Sequence, residues 1–353
     1  MASLISIAEI ARLLADRMPT LAAELLPNGR REGAEWRVGS LNGEPGRSLA
    51  VHLSGSRAGV WKDFAGGDGG DALDLVAAVH FGGDKGRAVE WSKRWLGIDD
   101  RDPAAIVKVR REAARIAEAT ERASAQEEAR TQERVQRIWL SCQRDIRGTH
   151  AEAYLRLRSI DVRRLPKVPG ALAFHPELWC GEAQERVPAL VGGIFRRGGL
   201  VGVHRTFLDP AWPKKLEVTN PKLSLGRYGG GCIPLTRGMT RIRWNELWNS
   251  RVAESLIVAE GIETALSVAL ALPRRRVAAA VSLANMAALD LPPCITAITI
   301  AADNDTAEEA KRGLDRAIAA HQAKGRTVYV ARAAAGKDFN DWLRELTSDH
   351  QVA

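Results

Sequence analysis

The sequence predicts an α/β protein of several domains, α+β overall, whose C-terminal part is a parallel sheet flanked by helices. A chain of 353 residues has room for two or three domains of about 150 residues. Strand-like and helix-like segments alternate from residue 254 to 345, which is typical of parallel strands joined by helical crossovers. Residues 104–146 contain neither Gly nor Pro, which predicts one long helix.

The first two predicted segments differ in composition. Residues 1–98 are rich in Gly and carry four tryptophans, and the first ten residues are predicted to start an amphipathic helix. Residues 99–147, rich in Ala, Glu and Arg, are a predicted helical linker of ~40 residues, or about 60 Å at 1.5 Å per residue. Its apolar positions are sparse, so we interpret it as a solvated connecting helix, with an arm lying along DNA as the alternative.

Short extended runs broken by Gly and Pro follow in residues 148–253. Residues 187–195 and 199–207 predict a strand pair joined by a turn at 196–198. Residues 254–353 then predict strands at 255–259, 277–281, 295–301 and 327–330 and helices at 262–272, 307–323 and from about Asn340 onward.

Composition restricts the class of protein. The formal charge is +8, from 51 Lys and Arg against 43 Asp and Glu, which favours a polyanionic partner. Four widely spaced cysteines form no CxxC or CxxH pair, so no zinc is expected. No apolar run reaches the roughly 18–20 residues of a membrane span, and the N-terminus lacks a secretory signal pattern. We therefore expect a cytoplasmic protein without membrane contact.

Acidic residues follow three of the predicted C-terminal strands. Glu260 follows the first, Asp303 and Asp305 follow the third, and Lys337 and Asp338 lie in the loop after the fourth. Carboxyl ends of parallel strands share one edge, where ligands bind. Crowded carboxylates repel one another unless a cation neutralises them, and such oxygens suit Mg²⁺ or Mn²⁺. Helix capping is the plainer interpretation of Asp303 and Asp305 taken alone.

Three motifs in this region resemble the signatures of the Toprim domain, the metal-binding fold of bacterial primases, topoisomerases and some nucleases. They are VAEGIETA at 258–265, AADND at 301–305 and GKDFN at 336–340. The resemblance implies that Glu260 is a general acid/base or metal ligand and that Asp303 and Asp305 hold Mg²⁺. Asp338 is the implied supporting acid, and Lys337 is a candidate nucleotide or DNA contact.

The preceding segment resembles the basic subdomain that bacterial primases place before Toprim, where a Gly-x-x-Arg element and a later lysine face the nucleotide. Gly202-Val-His-Arg205 matches that element. The resemblance makes Arg205, Lys215, Lys222 and Arg227 candidate nucleotide or DNA contacts. Each alone is more often a solvated surface charge.

Residues 60–76 resemble the end of the primase zinc-ribbon domain, where a strand and a glycine loop lead into a helix. The family's zinc-binding cysteines are absent, and Lys62, Asp63 and Gly66 stand at the matching positions. We therefore expect a ribbon-like domain without zinc, with Trp36, Trp61 and Phe64 supplying its core.

The sequence thus favours a primase-like nucleotidyltransferase that makes short primers on single-stranded DNA from nucleoside triphosphates. A metal-dependent nuclease of the same fold and a non-catalytic DNA-binding replication accessory protein remain the alternatives. No Gly-x-x-x-x-Gly-Lys-Ser/Thr motif is present, so a separate helicase is the expected partner. By family analogy, the missing motor and zinc ligands suggest a phage or plasmid protein.

Overall fold

The computed structural model describes residues 5–99 and 102–349, and the chain divides into two compact units, 1–127 and 128–353. The boundaries of the four predicted segments remain predictions; these segments are 1–98, 99–147, 148–253 and 254–353. Residues 1–4, 100–101 and 350–353 lie outside the described residues. Within the described part, no helix is long and apolar enough to cross a bilayer.

The first unit combines helices with a small antiparallel sheet of strand order β1-β2-β3-β4-β5. Asp71 caps the third helix with a capping box: its side chain accepts from the backbone of Leu73 and Asp74, and Asp74 accepts from Asp71 in return. The elements are α1 (Ile7–Ala15), α2 (Met18–Leu25), β1 (Arg30–Glu32), β2 (Glu35–Val38), β3 (Leu49–His52), β4 (Trp61–Asp63), β5 (Gly69–Gly70), α3 (Ala72–Phe81) and α4 (Lys85–Leu96).

The tryptophan-based core predicted for this unit is present only in part. Trp61 is buried, and Trp36 packs against the same core while its indole N–H donates to the Leu26 carbonyl at 3.0 Å. The expectation for Phe64 was wrong, because its side chain is 65% exposed. Phe64 follows β4 in a surface loop, where its ring contacts the Arg37 guanidinium instead of the core.

The predicted long helix is present as α5 (Pro103–Ser141), which includes the boundary between the two units. Ile106 and Val109 near its start are buried in the first unit's core, and Val135 and Trp139 near its end are buried in the second unit. Residues 117–127 are all exposed. Its middle is therefore solvated, as the sparse apolar pattern predicts.

The second unit begins with α6 (His150–Leu157) and an antiparallel sheet of order β6-β7-β8-β9. The strands are β6 (Leu172–Cys180), β7 (Glu185–Arg196), β8 (Gly199–Phe207) and β9 (Lys222–Gly226). The predicted strand pair is β7 and β8. Arg197 and Gly198 between them have φ of +48° and +84°, the left-handed pair of a two-residue hairpin turn.

The C-terminal sheet has the predicted parallel core, with strand order β10-β12-β11-β13-β14. Strands β12, β11, β13 and β14 pair in parallel, and the two-residue β10 adds an antiparallel edge that the sequence did not indicate. The helix α8 was also not predicted. The elements are β10 (Ile233–Pro234), β11 (Glu254–Ala259), α7 (Ile262–Ala271), β12 (Val277–Ala279), α8 (Leu283–Ala288), β13 (Ile295–Ala302), α9 (Glu308–Gln322), β14 (Thr327–Arg332) and α10 (Phe339–Asp349).

Candidate active site

Three predicted carboxylates meet at the carboxyl edge of the C-terminal sheet. Glu260 follows β11, and Asp303 and Asp305 follow β13, the neighbouring parallel strand. All three line one cavity of about 60 Å³. The cavity is enclosed by apolar residues of β13, α8 and α9 and by the Lys311 and Arg332 side chains. The register of two adjacent strands therefore brings together acids more than 40 positions apart in sequence.

Asp303 is the most electrostatically perturbed of these acids. Burial, followed by the negative charges of Asp338 and Glu260, raises its pKa to about 6. Its Oδ1 atom is buried and accepts no hydrogen bond from the described residues. A buried carboxylate oxygen without a donor is costly, so this atom is suited to binding a cation.

Glu260 is half-buried beside Asp303. Burial, the largest cause, raises the pKa of its carboxyl, and the charge of Asp305 adds to that effect. The backbone N–H of Leu283 and the Lys222 ammonium act in the opposite direction. Glu260 thus faces both the acids of β13 and a lysine of the preceding sheet.

Asp305 and Asp338 also serve as local caps. Asp305 Oδ1 accepts from the Ala307 N–H at 2.9 Å, ahead of α9. Asp338 Oδ1 accepts from the N–H groups of Asn340 and Asp341 at 2.8 and 2.9 Å, at the start of α10. Capping occupies Oδ1 in each case, and Oδ2 makes no hydrogen bond within the described part of the chain.

Asn304 ties the two acidic loops together. Its Nδ2 donates to the carbonyls of Ala333 and Gly336 at 3.0 Å each, and its backbone N–H donates to the Lys337 carbonyl at 2.8 Å. These bonds hold the loop of Lys337 and Asp338 against that of Asp303. Arg332 adds a bond of 2.7 Å to the Asp303 carbonyl. Sequence reasoning assigned no role to Asn304 or Arg332.

A buried carboxylate, Glu263, organises the lysines next to this edge. Lys222 Nζ lies 2.9 and 3.0 Å from its two oxygens, Lys215 Nζ lies 3.5 Å from Oε1, and Tyr154 donates to Oε1 at 2.7 Å. These partners outweigh burial and hold the pKa of Glu263 below its usual range. A single acid in the otherwise uncharged helix α7 was the available sequence signal.

The predicted basic residues do not all lie together. On β8 and β9, His204 and Thr206 pair with Ser224 and Lys222, so these four share the face of the sheet that carries Lys222. Burial, with Lys222 adding to it, lowers the pKa of His204 to about 4. Arg205 lies on the opposite face, where its guanidinium is 5.7 Å from the Phe207 ring centre.

Two further predicted contacts lie at the surface. Arg227 is paired with Glu128 of α5 at 2.5 Å, and 74% of its side chain is exposed. Lys337 is exposed, and its charge favours the ionised form of Asp303. Of the five basic candidates, therefore, Lys215 and Lys222 share one cluster, Lys337 lies within electrostatic reach of Asp303, and Arg205 and Arg227 lie elsewhere.

The carboxylates fit a hydrated Mg²⁺ or Mn²⁺ site better than a closed metal cage. Within residues 5–99 and 102–349, no group of three or more His, Cys, Asp or Glu side chains stands close enough together to hold an ion alone. Mg²⁺ keeps several waters and is usually held by one or two carboxylates plus substrate phosphates. The donorless Oδ1 of Asp303 and the hard oxygens around it match that requirement.

Two family models match the second unit. Residues 255–349 match the model described as Toprim domain, and residues 129–235 match one described as a domain of unknown function, DUF7146. The first match confirms the Toprim domain predicted from the three motifs. No curated protein matches the sequence.

Several solved structures are similar at low identity. A DNA primase domain from Pseudomonas aeruginosa is 14% identical with a TM-score of 0.38, and the match covers 62% of this chain and 74% of that one. A DnaG primase catalytic domain bound to ssDNA is 15% identical, with a TM-score of 0.39 and coverage of 62% and 78%. The primase fragment of the bacteriophage T7 primase-helicase is 15% identical, with a TM-score of 0.33 and coverage of 47% and 61%.

Proposed function

We propose that this protein is a primase-type nucleotidyltransferase that makes short primers on single-stranded DNA by metal-dependent phosphoryl transfer. One observation carries the proposal: three carboxylates line one cavity of the Toprim domain, and Lys222 lies within electrostatic reach of Glu260 and Asp303. Acids that hold a cation beside a lysine that faces phosphates form the minimal set for this chemistry.

The acidic residues have separate roles in this proposal. Asp303 and Asp305, with Glu260 and Asp338 in support, would hold Mg²⁺ or Mn²⁺, which when bound neutralises charge on the phosphoryl oxygens. In the reaction, the 3′-hydroxyl oxygen of the growing primer forms a bond to the α-phosphorus of the incoming nucleotide, and pyrophosphate leaves. Glu260, whose pKa is raised by burial, would accept the hydroxyl proton.

The lysines favour nucleotidyl transfer over hydrolysis of a phosphodiester. Lys215 and Lys222 both contact Glu263, but one buried carboxylate neutralises only one of their two positive charges. The remaining charge suits a triphosphate, which brings more negative charge to the site than a single phosphodiester does. Lys337, whose charge reaches Asp303, would also contact the phosphates, and Arg205 and Arg227 are candidate contacts for the template strand outside the cavity.

The partners follow from this chemistry. Single-stranded DNA and nucleoside triphosphates are the proposed substrates, and a separate replicative helicase is the proposed partner because the sequence has no P-loop motif. A plasmid or phage origin remains a hypothesis that rests on the same missing motor.

Primer synthesis is tested with the full chain, single-stranded DNA, labelled nucleotides and Mg²⁺ or Mn²⁺. We expect new oligonucleotides whose yield falls about 100-fold or more in Asp303→Asn, because the metal ion contributes several kcal/mol to transition-state stabilisation. Asp315→Asn, an exposed acid of α9, is the matched control and retains activity.

Two results would replace the proposal. Shortened template, lost again in Asp303→Asn, would identify a nuclease of the same fold. Neither product, with single-stranded DNA still bound, would identify a non-catalytic accessory protein.

A further inference from the structure

A second and larger cavity lies at the amino edge of the C-terminal sheet. Its volume is about 910 Å³, and its walls come from three loops, residues 166–171 ahead of β6, 234–245 from the end of β10 onward, and 273–276 ahead of β12, together with Phe195 and Gly198 of the β7–β8 hairpin. The acids Glu260 and Asp303 follow parallel strands, whereas Arg276 precedes one. The two cavities therefore lie at opposite ends of the same sheet.

The lining of this cavity is strongly basic. It includes Lys167, Arg237, Arg241, Arg243, Arg274 and Arg276 but no Asp or Glu. Arg276 is neutralised by the nearby Glu254 at 3.3 Å, and Arg243 pairs with Glu246 at 3.7 Å on the surface. The other four side chains are exposed and make no ion pair within the described residues. A net positive charge therefore faces the cavity.

The walls are fixed by hydrogen bonds. Buried Arg276 donates to the Ile242 carbonyl at 3.1 Å and to Thr240 Oγ1 at 3.3 Å. Thr236 donates to the Arg275 carbonyl at 2.7 Å and accepts from the Val277 N–H at 2.8 Å. These bonds attach the loop that carries Arg237, Arg241 and Arg243 to the start of β12. The backbone that carries the exposed cations is therefore fixed.

Apolar and aromatic groups accompany the cations. Trp244 lines the cavity and is partly buried: its side chain also packs against the core of the C-terminal sheet, and its buried ring nitrogen has no hydrogen-bond partner in the described part of the chain. Met239 also lines it and is 74% exposed. Aromatic faces beside a basic surface suit bases that alternate with phosphates. An acidic peptide would use the charges but not the indole.

We propose that this amino-edge cavity binds single-stranded nucleic acid, with backbone phosphates on Lys167, Arg237, Arg241 and Arg274 and a base against Trp244. Four cations on three separate loops fit a chain of phosphates better than one triphosphate, whose charges lie close together. This binding site does not require catalysis at the carboxyl edge. The strand bound in this cavity would either extend to the acids at the carboxyl edge or be bound at the cavity alone.

The salt dependence of binding to a labelled oligothymidylate tests the site. In R237Q/R241Q/R274Q, the slope of log K against log salt should become shallower by about 2, because each lost phosphate contact removes about 0.7 on a single strand. The control R164Q/R312Q/R316Q removes the same charge from exposed arginines outside the cavity and should change the slope by less than half as much. Equal slopes in the two triple variants would overturn the proposal.

A second measurement does not depend on substitutions. A strand with 5-iodouracil, irradiated on the unmodified protein, should crosslink to the peptide that contains Met239 and Trp244, and crosslinks that avoid residues 234–245 would refute the site. Free ATP that binds the wild type but not R237Q/R241Q/R274Q, with strand binding unchanged, would identify a nucleotide site instead. Preferential displacement of the strand by polyglutamate would identify an acidic protein partner.

The same binding assay separates this site from the catalytic proposal. Asp303→Asn should abolish primer synthesis and leave the salt slope for oligothymidylate unchanged. Loss of both in that single variant would show that the two ends of the sheet do not act separately.

Discussion

The two ends of the C-terminal sheet carry opposite charges, and helix polarity explains part of the contrast. At the carboxyl end α9 and α10 begin. Asp338 accepts from N–H groups at the start of α10, and Asp305 accepts from the N–H of Ala307 just ahead of α9. At the amino end helices stop, and Lys324 and Arg326, just after α9, donate to the carbonyls of Leu289, Leu291 and Ile295. Helix dipoles favour this distribution without any ligand.

Charged atoms that make no local backbone bond are the candidates for function. At the carboxyl end, Asp303 caps nothing and its Oδ1 lacks a donor among the described residues. At the amino end, Arg237 and Arg241 are exposed and bind no carbonyl in the part of the chain that the structure describes. Charge at a sheet edge is therefore informative where a group keeps atoms that local backbone bonds do not use, as Asp305 and Asp338 do with Oδ2.

Each end also contains one buried ion pair, and breaking these pairs should have the largest effect on stability. Glu263→Gln leaves Lys222 and Lys215 without a countercharge, and Glu254→Gln does the same to Arg276, whose side chain is 1% exposed. Glu254→Gln should lose about 3–5 kcal/mol of unfolding free energy. Glu263→Gln should lose less, because about a third of each lysine side chain is exposed and can be rehydrated. Urea unfolding, with hydrogen exchange of α7 and β12 to locate the change, measures it.

These two variants also separate structure from function. Only Glu263→Gln should alter the KM for nucleoside triphosphate, because Glu263 positions Lys222 beside the acids. A KM changed equally by Glu254→Gln would show that the contrast between the two ends is one of stability alone.

His204 should contribute a loss of stability on mild acidification. Its pKa is about 4 in the folded protein against a reference of 6.5, so between these values the unfolded chain binds a proton that the folded chain does not. The contribution of His204 to the free energy of unfolding should therefore fall as pH drops through this window, by up to about 1.4 kcal/mol per pH unit, whereas Asp303, whose pKa is raised to about 6, contributes in the opposite direction. Measuring urea unfolding from pH 7 to 5 tests this.

His204→Asn supplies the control, since it keeps a hydrogen-bonding group near Ser224 and cannot titrate. The difference between variant and wild type isolates this residue. Burial also lowers the pKa of His175 and His321 and raises that of Asp303 and Glu260, so the wild-type profile alone is a sum of opposing contributions. Parallel pH profiles for the two proteins would contradict the assignment of the proton to His204.

Asn304→Ala should have a smaller and more specific effect. It removes both side-chain bonds to the loop of Asp338, so the Mg²⁺ concentration for half-maximal activity should rise about 10-fold or more, as for other groups that orient metal ligands. Asn249→Ala, an exposed amide, is the control. A lower kcat with an unchanged Mg²⁺ requirement would show that Asn304 does not position the acids.

The positions of the acids could be predicted from the sequence, because only local patterns and one rule of parallel sheets are needed to place them. Alternating strands and helices predicted β11 and β13, and Glu260 and Asp303 follow directly. Glu263 was missed although it lies inside a quoted motif. Its partners are 41 and 109 positions away at Lys222 and Tyr154, and burial of a charge is decided by such distant partners.

Strand register explains the other difference. Arg205 and Lys222 were both predicted as nucleotide or DNA contacts, but the pairing of Arg205 with Leu223 turns Arg205 to the face of β8 and β9 opposite Lys222. A shift of one residue in register would have united them. The arginine-lined cavity could not be predicted from the sequence either, because its walls share no motif and meet only in the folded chain. These walls are residues 166–171, 234–245 and 273–276.

Arg227 provides the smallest expected effect and the sharpest distinction between a surface ion pair and a nucleic-acid contact. Its bond to Glu128 is exposed, so Arg227→Ala should change the unfolding free energy by less than about 1 kcal/mol. If the guanidinium exchanges Glu128 for a template phosphate, the same variant should make the salt slope for oligothymidylate shallower by about 0.7. Glu128→Gln, which frees Arg227 without removing it, should then strengthen strand binding. Unchanged binding in both variants would leave Arg227 as a surface ion pair, and the strand contacts of this unit would be confined to the two ends of its sheet.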